Sequence, residues 1–395
     1  MPNEALGAAK EKKNDEFYTQ YDDIQREINA YLDYDPDTFR DKTVLLPCDD
    51  PEWSNFTRFF AQNFDRLGLK KLISTSYATE SKQKNTSIQV SIFDFLTEYE
   101  TQSPQYDESI SPNRGKIFTL TRRNKKIDIN DLQWKYLEGD GDFRSEEVTR
   151  LRDEADIIVT NPPFSLFREF LAWIMAANKK FLIIGSQNAI TYKEVFPLIR
   201  SNSIWLGNGF NHGNAFFRVI GINPKYANGV FDESTGLVKF RNCHWFTNLD
   251  HGRRHQPLPL MTMADNLKFS KHKEIKEQGY LKYDNYDAIE VPYTDAIPSD
   301  YDGVMGVPIT FLDKYCPEQF EIIGITKTWF GLASKVYPNQ TQVSRNGNTS
   351  IVSKLNDGPA IKVSQKPLDT TYYMVDNDYY IQLYARVLIR KKVPD

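Results

Sequence analysis

The stretch from Asp156 to Phe164 constrains the fold of this chain more than any other, because a β-branched apolar run ends there in Asn-Pro-Pro-Phe. Residues 157–159 predict a buried strand, and the two prolines stop it because proline cannot continue a strand ladder. We expect Ser165 to cap a helix with one apolar face, and residues 181–184 to form the next buried strand. The order strand, helix, strand predicts a βαβ unit, in which ligands bind beyond the carboxyl ends of the strands, where residues 161–164 would lie.

Two acidic loops upstream belong to the same alternation of strands and helices. Residues 43–46 predict a buried strand that leads into the loop Pro47–Pro51, and residues 137–144 are typical of a tight turn with two glycines. The first loop has two carboxylates and no glycine, so it suits hydroxyl or ammonium groups better than phosphate. An ordinary turn before the next helix explains the same residues equally well. The alternation as a whole predicts an α/β fold with a mostly parallel sheet.

The string Asn161–Phe164 suits the chemistry of an exocyclic aromatic amine, which is a poor nucleophile because its lone pair is delocalised into the ring. The Asn161 side-chain oxygen and the Pro162 carbonyl can accept the two amine hydrogens and draw the nitrogen towards tetrahedral geometry. Phe164 would stack on the base, and attack on a sulfonium methyl group would depend mainly on positioning. The motif therefore predicts methyl transfer to an amine.

Composition argues against several classes of protein. The formal net charge is −4, so a nucleic-acid partner would have to be met by local basic patches. Three scattered cysteines and five histidines show neither disulfide nor metal-site spacing, so we expect no metal and a reduced, cytoplasmic protein. Residues 1–14 are polar and lack an apolar core, which predicts a flexible tail rather than a membrane anchor.

After about residue 207 the sequence changes to short Tyr-, Phe- and Val-rich runs separated by turn pairs, which is typical of a β-rich region. We expect one domain over residues 15–210 and another over residues 211–395. Basic clusters lie in both halves and are interpreted either as solvated surface or as contacts to a polyanion. The candidates for phosphate contacts are Arg122, Arg123, Arg253 and Arg254. Tyr280, Tyr283 and Tyr286 add rings that can stack on bases.

Several strings resemble those of the EcoRI-type adenine-N6 DNA methyltransferases, and the likeness covers most of residues 15–323. These strings are Asp15–Tyr21, Cys48–Pro51, Gly139–Ser145, Thr160–Glu169, Ile190–Phe196, Tyr283–Ile289 and Gly303–Leu312. The resemblance implies a Rossmann-like methyltransferase sheet with helices on both faces, followed by a β-rich C-terminal target-recognition region. The order of the motifs is similar to the γ arrangement of amino-methyltransferases. The glycine-rich cofactor loop usual in methyltransferases is absent, and Cys48–Pro51 stands in its place.

The resemblance also implies an activity and a set of site residues. The activity would be transfer of a methyl group from S-adenosyl-L-methionine (AdoMet) to the N6 amine of a flipped adenine in double-stranded DNA, with a cognate restriction system as a further partner. The catalytic residues would be Asn161, Pro162, Pro163 and Phe164. The AdoMet-binding residues would be Phe17, Tyr18, Thr19, Cys48, Asp49 and Asp50, with Asp142 and Phe143 beside the adenine of AdoMet.

Two alternatives stay open on the residues alone. Related Asn- or Ser-Pro-Pro motifs serve methylation of cytosine N4, of RNA and of protein amides. A DNA-binding specificity module without catalysis is the other alternative, although intact Asn161, Pro162 and Phe164 argue against it.

Overall fold

The structure is a computed structural model, and it describes residues 18–52, 54–78, 105–122, 134–210, 215–218, 230–232 and 234–392. The predicted tail over residues 1–14, together with Phe17 and Arg123, lies outside these described residues. The chain divides into two compact units, Met1–Gln187 with Ile204–Gly252 and Asn188–Ser203 with Arg253–Asp395. Within the described ranges, no helix is long and apolar enough to cross a membrane.

The first unit contains an eight-stranded sheet and a four-stranded sheet. Its strands are β1 Tyr18–Thr19, β2 Thr43–Leu46, β3 Lys71–Ser76, β4 Lys116–Thr121, β5 Trp134–Tyr136, β6 Ile157–Thr160, β7 Lys180–Ser186, β8 Trp205–Leu206, β9 Ala215–Arg218, β10 Phe231–Asp232, β11 Leu237–Phe240 and β12 Cys243–Thr247. Its helices are α1 Tyr21–Tyr34, α2 Asn55–Gln62, α3 Glu146–Glu154 and α4 Phe167–Ala176. The strand order is β5-β4-β3-β2-β6-β7-β12-β8 in the large sheet and β1-β9-β11-β10 in the small one.

The large sheet is mixed rather than mostly parallel, which corrects the expectation from the sequence. Its centre, β3-β2-β6-β7, is parallel, as the alternation of strands and helices predicts. Strands β4, β5, β12 and β8 extend the sheet on either side in antiparallel orientation. Local patterns do not predict these additions, because β12 lies beyond the predicted boundary at residue 210 and pairs with β7 across a long separation in sequence.

Strands β2 and β6 form where the sequence predicts them, and every residue in both strands is buried. Continuous apolar runs of this kind suit central strands that are covered on both faces. The predicted cap at Ser165 is wrong, because residues 164–166 form a 3-10 turn and α4 starts after Leu166 without a side-chain cap. The Pro163 carbonyl accepts a hydrogen bond from Leu166 N at 3.0 Å, so this tighter turn takes the place of a capped helix start.

The core of the first unit consists of aromatic and aliphatic side chains from α1, α2 and the large sheet. These buried side chains include Ile24, Ile28, Tyr31, Val44, Leu46, Phe56, Phe59, Phe60, Leu72, Val159, Leu182 and Trp245. Each large apolar side chain buried in this way contributes roughly 1.5–3 kcal/mol to stability. This core supports the central strands from which the loops of interest extend.

The second unit carries a four-stranded sheet, β13-β14-β21-β15, and a five-stranded sheet, β17-β16-β19-β20-β18. Its strands are β13 Ile289–Glu290, β14 Met305–Pro308, β15 Phe320–Ile325, β16 Gln340–Val343, β17 Thr349–Val352, β18 Ala360–Val363, β19 Tyr372–Val375, β20 Asp378–Gln382 and β21 Arg386–Lys391. Its helices are α5 Phe196–Arg200, α6 Met263–Phe269 and α7 Lys273–Gln278. The predicted β-rich character is confirmed, and the predicted turn at 346–347 joins β16 to β17 with Gly347 at φ 81°.

The division into units differs from the predicted boundary at residue 210. Residues 188–203 belong to the second unit, and residues 204–252 belong to the first. The reason is that β9 pairs with β1 and β12 pairs with β7. Pairing between strands so far apart in the chain leaves no local signal in the sequence.

Candidate active site

The candidate site lies at the carboxyl edge of the parallel strands in the first unit. Strand β2 pairs with β3 on one side and with β6 on the other. From β2 the chain leads to β3 on one side and later to β6 on the other side. The carboxyl end of β2 is therefore a topological switch point of the sheet. The loop Cys48–Asp50 follows β2, and the loop Asn161–Phe164 follows β6. The fold thus brings the two predicted loops to one edge of the sheet.

Asp49 joins these two loops through its side chain. Its Oδ1 accepts a hydrogen bond from Ser54 Oγ and its Oδ2 accepts one from Thr160 Oγ1, each at 2.6 Å. Its carbonyl accepts a third hydrogen bond from Ser74 Oγ, also at 2.6 Å. Thr160 is the last residue of β6 and immediately precedes Asn161. Asp49 therefore connects the ends of β2, β3 and β6.

Asp49 is buried, with 5% of the residue exposed. Burial raises its pKa to about 7, although the hydrogen bonds from Ser54 and Thr160 favour the ionised form. The neighbouring Asp50 carboxylate adds to the rise in pKa. Both oxygens of Asp49 face protein hydroxyls, and the group changes its charge near neutral pH.

Asp50 belongs to a separate charged cluster. Its Oδ1 accepts a hydrogen bond from Glu52 N at 2.9 Å, and its Oδ2 lies 3.7 Å from Lys116 Nζ. Lys116 also pairs with the Glu52 carboxylate at 2.8 Å and lies over the Trp134 ring, 4.7 Å from its centroid. One cation that is 4% exposed thus sits between two carboxylates. Among the described residues, no group of three or more His, Cys, Asp or Glu side chains is placed to hold a metal ion.

The turn at residues 139–142 lies against the end of β3. Gly115 N donates to the Gly139 carbonyl at 3.0 Å, which holds the turn beside the start of β4. Gly141 has φ 81°, and a Cβ at this position would lie 2.2 Å from the Ser76 carbonyl oxygen. Glycine is required here both by the backbone conformation and by the close approach. The turn therefore carries its aspartates to the edge at which β3 ends.

Asp142 and Phe143 both have protein partners in this turn. The Arg144 guanidinium donates to the Asp142 carboxylate at 2.6 and 2.9 Å. Burial opposes ionisation, but these hydrogen bonds outweigh it and hold the pKa of Asp142 below its ordinary value. The Phe143 ring is 5% exposed, with its centroid 5.0 Å from that of Phe170 and 5.6 Å from that of Trp173. The role of Phe143 beside a cofactor adenine stays a prediction.

The loop Asn161–Phe164 is held on the core of the first unit. The Oδ1 atom of Asn161 is buried, and so is Pro162. Phe164 is half-buried and meets Phe240 edge-on, with ring centroids 6.5 Å apart. A buried amide oxygen and a fixed aromatic ring are the groups that recognition of a base edge and a base face requires.

The N-terminal segment predicted to bind the cofactor is described from Tyr18 onward. Thr19 accepts a hydrogen bond at its carbonyl from Asn55 Nδ2, at 2.7 Å. Asn55 is the first residue of α2, the helix that follows the Cys48–Asp50 loop. Thr19 is 2% exposed, and its Oγ1 has no hydrogen-bond partner within the part of the chain that the structure describes. A buried hydroxyl of this kind is a group that a bound ligand can satisfy.

The arginines predicted to contact phosphates fall in different places. Arg122 follows β4, whose antiparallel register with β3 puts Arg122 beyond the amino end of β3, at the edge opposite the candidate site. There it pairs with Asp41 at 2.8 Å on the surface. Arg254 is 7% exposed and its guanidinium donates to Asn202, so burial removes it from the candidates for phosphate contact. Arg253 is partly exposed in the second unit.

Tyr283 and Tyr286 lie in the interior of the second unit, where they are 4% and 2% exposed. They pack in one cluster with Ala288, Ile361 and Leu388. The interpretation of these two rings as a stacking surface for bases is therefore wrong, because the sheets of this unit cover them.

Sequence patterns alone do not identify Ser54, Lys116 and Thr160 as members of the site. Lys116 lies in a run of basic residues that predicts a solvated or phosphate-binding surface, yet it is buried. Thr160 carries the one local signal, because a hydroxyl at the end of a buried apolar strand needs a hydrogen-bond partner. The identity of that partner, Asp49, comes from the pairing of β2 with β6.

The chain is similar to one protein-family model and to several known proteins. The family model described as "Adenine-specific methyltransferase EcoRI" matches residues 5–392. The chain is 44% identical to Type II methyltransferase M.EcoRI of Escherichia coli over 327 residues, which are 82% of this chain and 90% of that protein. It is 31% identical to Type II methyltransferase M.MgeORF184P of Mycoplasma genitalium, over 97% of this chain and 98% of that protein. It is 35% identical to Type II methyltransferase M.MpnI of Mycoplasma pneumoniae, over 80% and 83% of the two chains. No solved structure matches the chain significantly.

Proposed function

We propose a mechanism for this site on the premise that the chain belongs to the adenine-specific methyltransferase EcoRI family. Membership makes the protein a DNA adenine methyltransferase, since the family is adenine-specific and the relatives are Type II methyltransferases. The observation that carries the mechanism is the meeting of the loops Cys48–Asp50 and Asn161–Phe164 at the switch point of the sheet. Open α/β sheets bind their ligands at such points.

We assign to Asn161 and Pro162 the two acceptors for the N6 amine of adenine. Burial of the Asn161 oxygen keeps water from competing for the amine hydrogens. Proline fixes its own φ, which gives the Pro162 carbonyl a set direction, and Pro163 extends this stiffness. Accepting both hydrogens localises the nitrogen lone pair, so that the amine can attack an in-line methyl group. The new N–C bond would form as the bond between the methyl carbon and the sulfonium sulfur breaks, and the amine proton would then pass to solvent. Positioning supplies most of the rate gain.

Phe164 is proposed to stack on the adenine after the base has left the duplex. Its edge-on contact with Phe240 holds the ring orientation that a stacked base needs. Extrusion of a base from double-stranded DNA costs a few kcal/mol, which contacts to the flanking DNA must offset. We assign those contacts to the second unit, with Arg253 among them, as a target-recognition region. A companion restriction nuclease fits relatives that are named Type II methyltransferases.

The residues present fit AdoMet as the methyl donor, with its ammonium group, ribose hydroxyls and adenine ring. AdoMet, when bound, supplies an electrophilic sulfonium methyl group. Asp50 and the 139–142 turn offer carboxylates for the ammonium and hydroxyl groups, and the buried Thr19 hydroxyl offers a further hydrogen bond. Cys48, Phe17 and Tyr18 complete the proposed binding segments.

The substitution Asn161→Ala tests this mechanism. We expect it to abolish single-turnover methyl transfer while the AdoMet dissociation constant, measured by calorimetry, stays at the wild-type value. The matched control is Asn248→Ala, which removes a partly buried asparagine whose side chain bonds to Phe181 N at 2.8 Å, at the amino end of β7. The control should lose stability and keep its methyl-transfer rate. An active Asn161→Ala enzyme would contradict the proposal.

The identity of the product separates adenine N6 from the other amines. Nucleoside analysis of DNA, RNA and protein after incubation with labelled AdoMet should find N6-methyladenine in double-stranded DNA. Label in N4-methylcytosine, in RNA or in a protein amide would instead favour the alternatives that the motif by itself leaves open.

A further inference from the structure

We propose that Asp49 is a positioning residue that acts through Thr160 on the Asn161–Phe164 loop, and that it is not a ligand of the methyl donor. This inference rests on the proposed function, because it takes Asn161 as the acceptor for the amine. It assigns different tasks to two neighbouring carboxylates, Asp49 and Asp50, that the resemblance treats as one cofactor-binding segment.

The direction of the Asp49 side chain is the first argument. Both of its carboxylate oxygens accept hydrogen bonds from buried hydroxyls, at 2.6 Å from Ser54 and at 2.6 Å from Thr160. Asp49 is 5% exposed and Thr160 is 0% exposed. A ligand ammonium or ribose hydroxyl would have to displace one of these short bonds to reach the carboxylate. Asp50 lacks such a pair of hydroxyl partners among the described residues and carries the ligand-binding role in this assignment.

The connections of the two hydroxyls are the second argument. Ser54 Oγ also accepts a hydrogen bond from Phe56 N at 3.0 Å, so it caps α2 and fixes that helix relative to Asp49. Thr160 is joined to Asn161 by one peptide bond, so the position of its Cα limits where the Asn161 amide can lie. The carboxylate therefore couples the helix after the cofactor loop to the strand before the catalytic loop.

The strength of the link is the third argument. Above a pH of about 7, where the Asp49 carboxyl group is ionised, its hydrogen bond from the Thr160 hydroxyl is charge-assisted, and such bonds are among the stronger ones in proteins. The methyl transfer depends on in-line geometry, and a displacement of about 1 Å can lower such a rate by about 100-fold. Loss of the Thr160 hydroxyl should therefore appear in the chemical step rather than in cofactor binding.

The first experiment compares Asp49→Asn with Asp50→Asn. An asparagine at position 49 keeps one acceptor oxygen and gains an N–H group. This N–H group can donate to the Thr160 hydroxyl oxygen, so the network survives. We expect Asp49→Asn to leave the AdoMet dissociation constant, measured by calorimetry, at the wild-type value. Asp50→Asn should raise that constant by about 10-fold or more, because a charge-assisted bond to the ligand is lost. A rise for Asp49→Asn equal to that for Asp50→Asn would overturn the proposal.

The second experiment compares Thr160→Val with Thr160→Ser. Valine keeps the volume and removes the hydroxyl, and we expect the single-turnover rate to fall by about 10- to 100-fold with unchanged AdoMet affinity. Serine keeps the hydroxyl and should restore most of the rate. The matched control is Thr247→Val on β12, whose buried hydroxyl donates to the Phe181 carbonyl at 2.7 Å, at the end of β7 away from the site. It should lose stability to a similar degree and keep its rate.

The outcomes distinguish this inference from the function on which it rests. A Thr160→Val enzyme with the wild-type single-turnover rate, beside an inactive Asn161→Ala enzyme, would overturn only the positioning role of Asp49. An active Asn161→Ala enzyme would overturn the proposed function itself. Equal loss of rate in Thr160→Val and Thr247→Val would show a general effect of a lost buried hydroxyl, and would also overturn the inference.

Discussion

The Thr160 hydroxyl donates to Asp49 Oδ2 at 2.6 Å, although the two residues are 111 positions apart in the chain. The bond joins the carboxyl ends of two neighbouring parallel strands, β2 and β6. A hydrogen bond to a charged group contributes about 1.5–3 kcal/mol. This buried contact therefore adds to the backbone pairing of the two strands in fixing the relative position of the loops at residues 48–50 and 161–164.

The ionisation of Asp49 should make the free energy of unfolding depend on pH. Burial raises the folded-state pKa of Asp49 from the ordinary value of 3.8 to about 7, so the folded state binds the carboxyl proton more tightly than the unfolded state does. The resulting contribution to stability is fully present below pH 3.8. The contribution is lost as the pH rises through about 7. We expect the free energy of unfolding to fall by up to about 4 kcal/mol across this window in the wild type, and this fall to be absent from Asp49→Asn. Urea denaturation at a series of pH values measures it.

Asp142→Asn is the control for that experiment, because the pKa of Asp142 is shifted in the opposite direction to that of Asp49. Arg144 holds the pKa of Asp142 below its ordinary value in spite of burial, so its contribution is present above the unfolded-state pKa and lost as the pH falls through the folded one. The Asp142→Asn profile should therefore depart from the wild type on the acid side alone. Two variants with the same profile between about pH 4 and pH 7 would contradict the assignment of the raised pKa to Asp49.

Gly141→Ala should damage the turn at residues 139–142. An alanine there must adopt φ 81° and would place Cβ 2.2 Å from the Ser76 carbonyl oxygen, a contact with backbone that cannot yield easily. Gly236→Ala is the matched control, since Gly236 has φ 67° and a Cβ there would meet nothing within 4 Å. We expect the control to cost about 1–2 kcal/mol, for the backbone conformation alone. Gly141→Ala should cost more and also weaken AdoMet binding. Denaturation and calorimetry check both, and equal costs would argue against the close approach.

Arg253 and Arg254 are adjacent in the chain but should respond differently to substitution. Arg254 is buried and its guanidinium donates to Asn202, so Arg254→Ala should lower the free energy of unfolding by about 1–3 kcal/mol, because it removes the buried packing of the side chain and its hydrogen bond. Arg253 is partly exposed, so Arg253→Ala should cost less stability than Arg254→Ala and should weaken DNA binding with a smaller dependence on salt. Fluorescence anisotropy with duplex DNA over a salt series measures the second effect. A larger loss of DNA affinity in a fully folded Arg254→Ala protein would reverse the assignment.

Local patterns are sufficient for the parts of this fold that are decided within a few residues. Strand β2 matches its predicted bounds, and β6 ends at Thr160, directly before the predicted Asn-Pro-Pro-Phe loop. Apolar β-branched runs favour a strand and prolines end it through effects on adjacent residues, so the sequence is sufficient to predict both. The predicted cap at Ser165 is wrong, because residues 164–166 form a 3-10 turn before α4. The unit boundary and the antiparallel strand β12 depend on pairings across the chain that no local pattern encodes.

The sequence by itself determined the α/β class, the motif at residues 161–164 and the family, because each of these depends on short strings of residues. The tertiary structure alone decided which way the charged side chains face. Asp49 turns inward to Thr160, Lys116 lies buried beside Glu52, and Arg254 is covered where Arg253 is not. Burial and hydrogen-bond partners are properties of chain segments brought together from far apart, so the same residue type can bind a ligand, support a loop or face solvent.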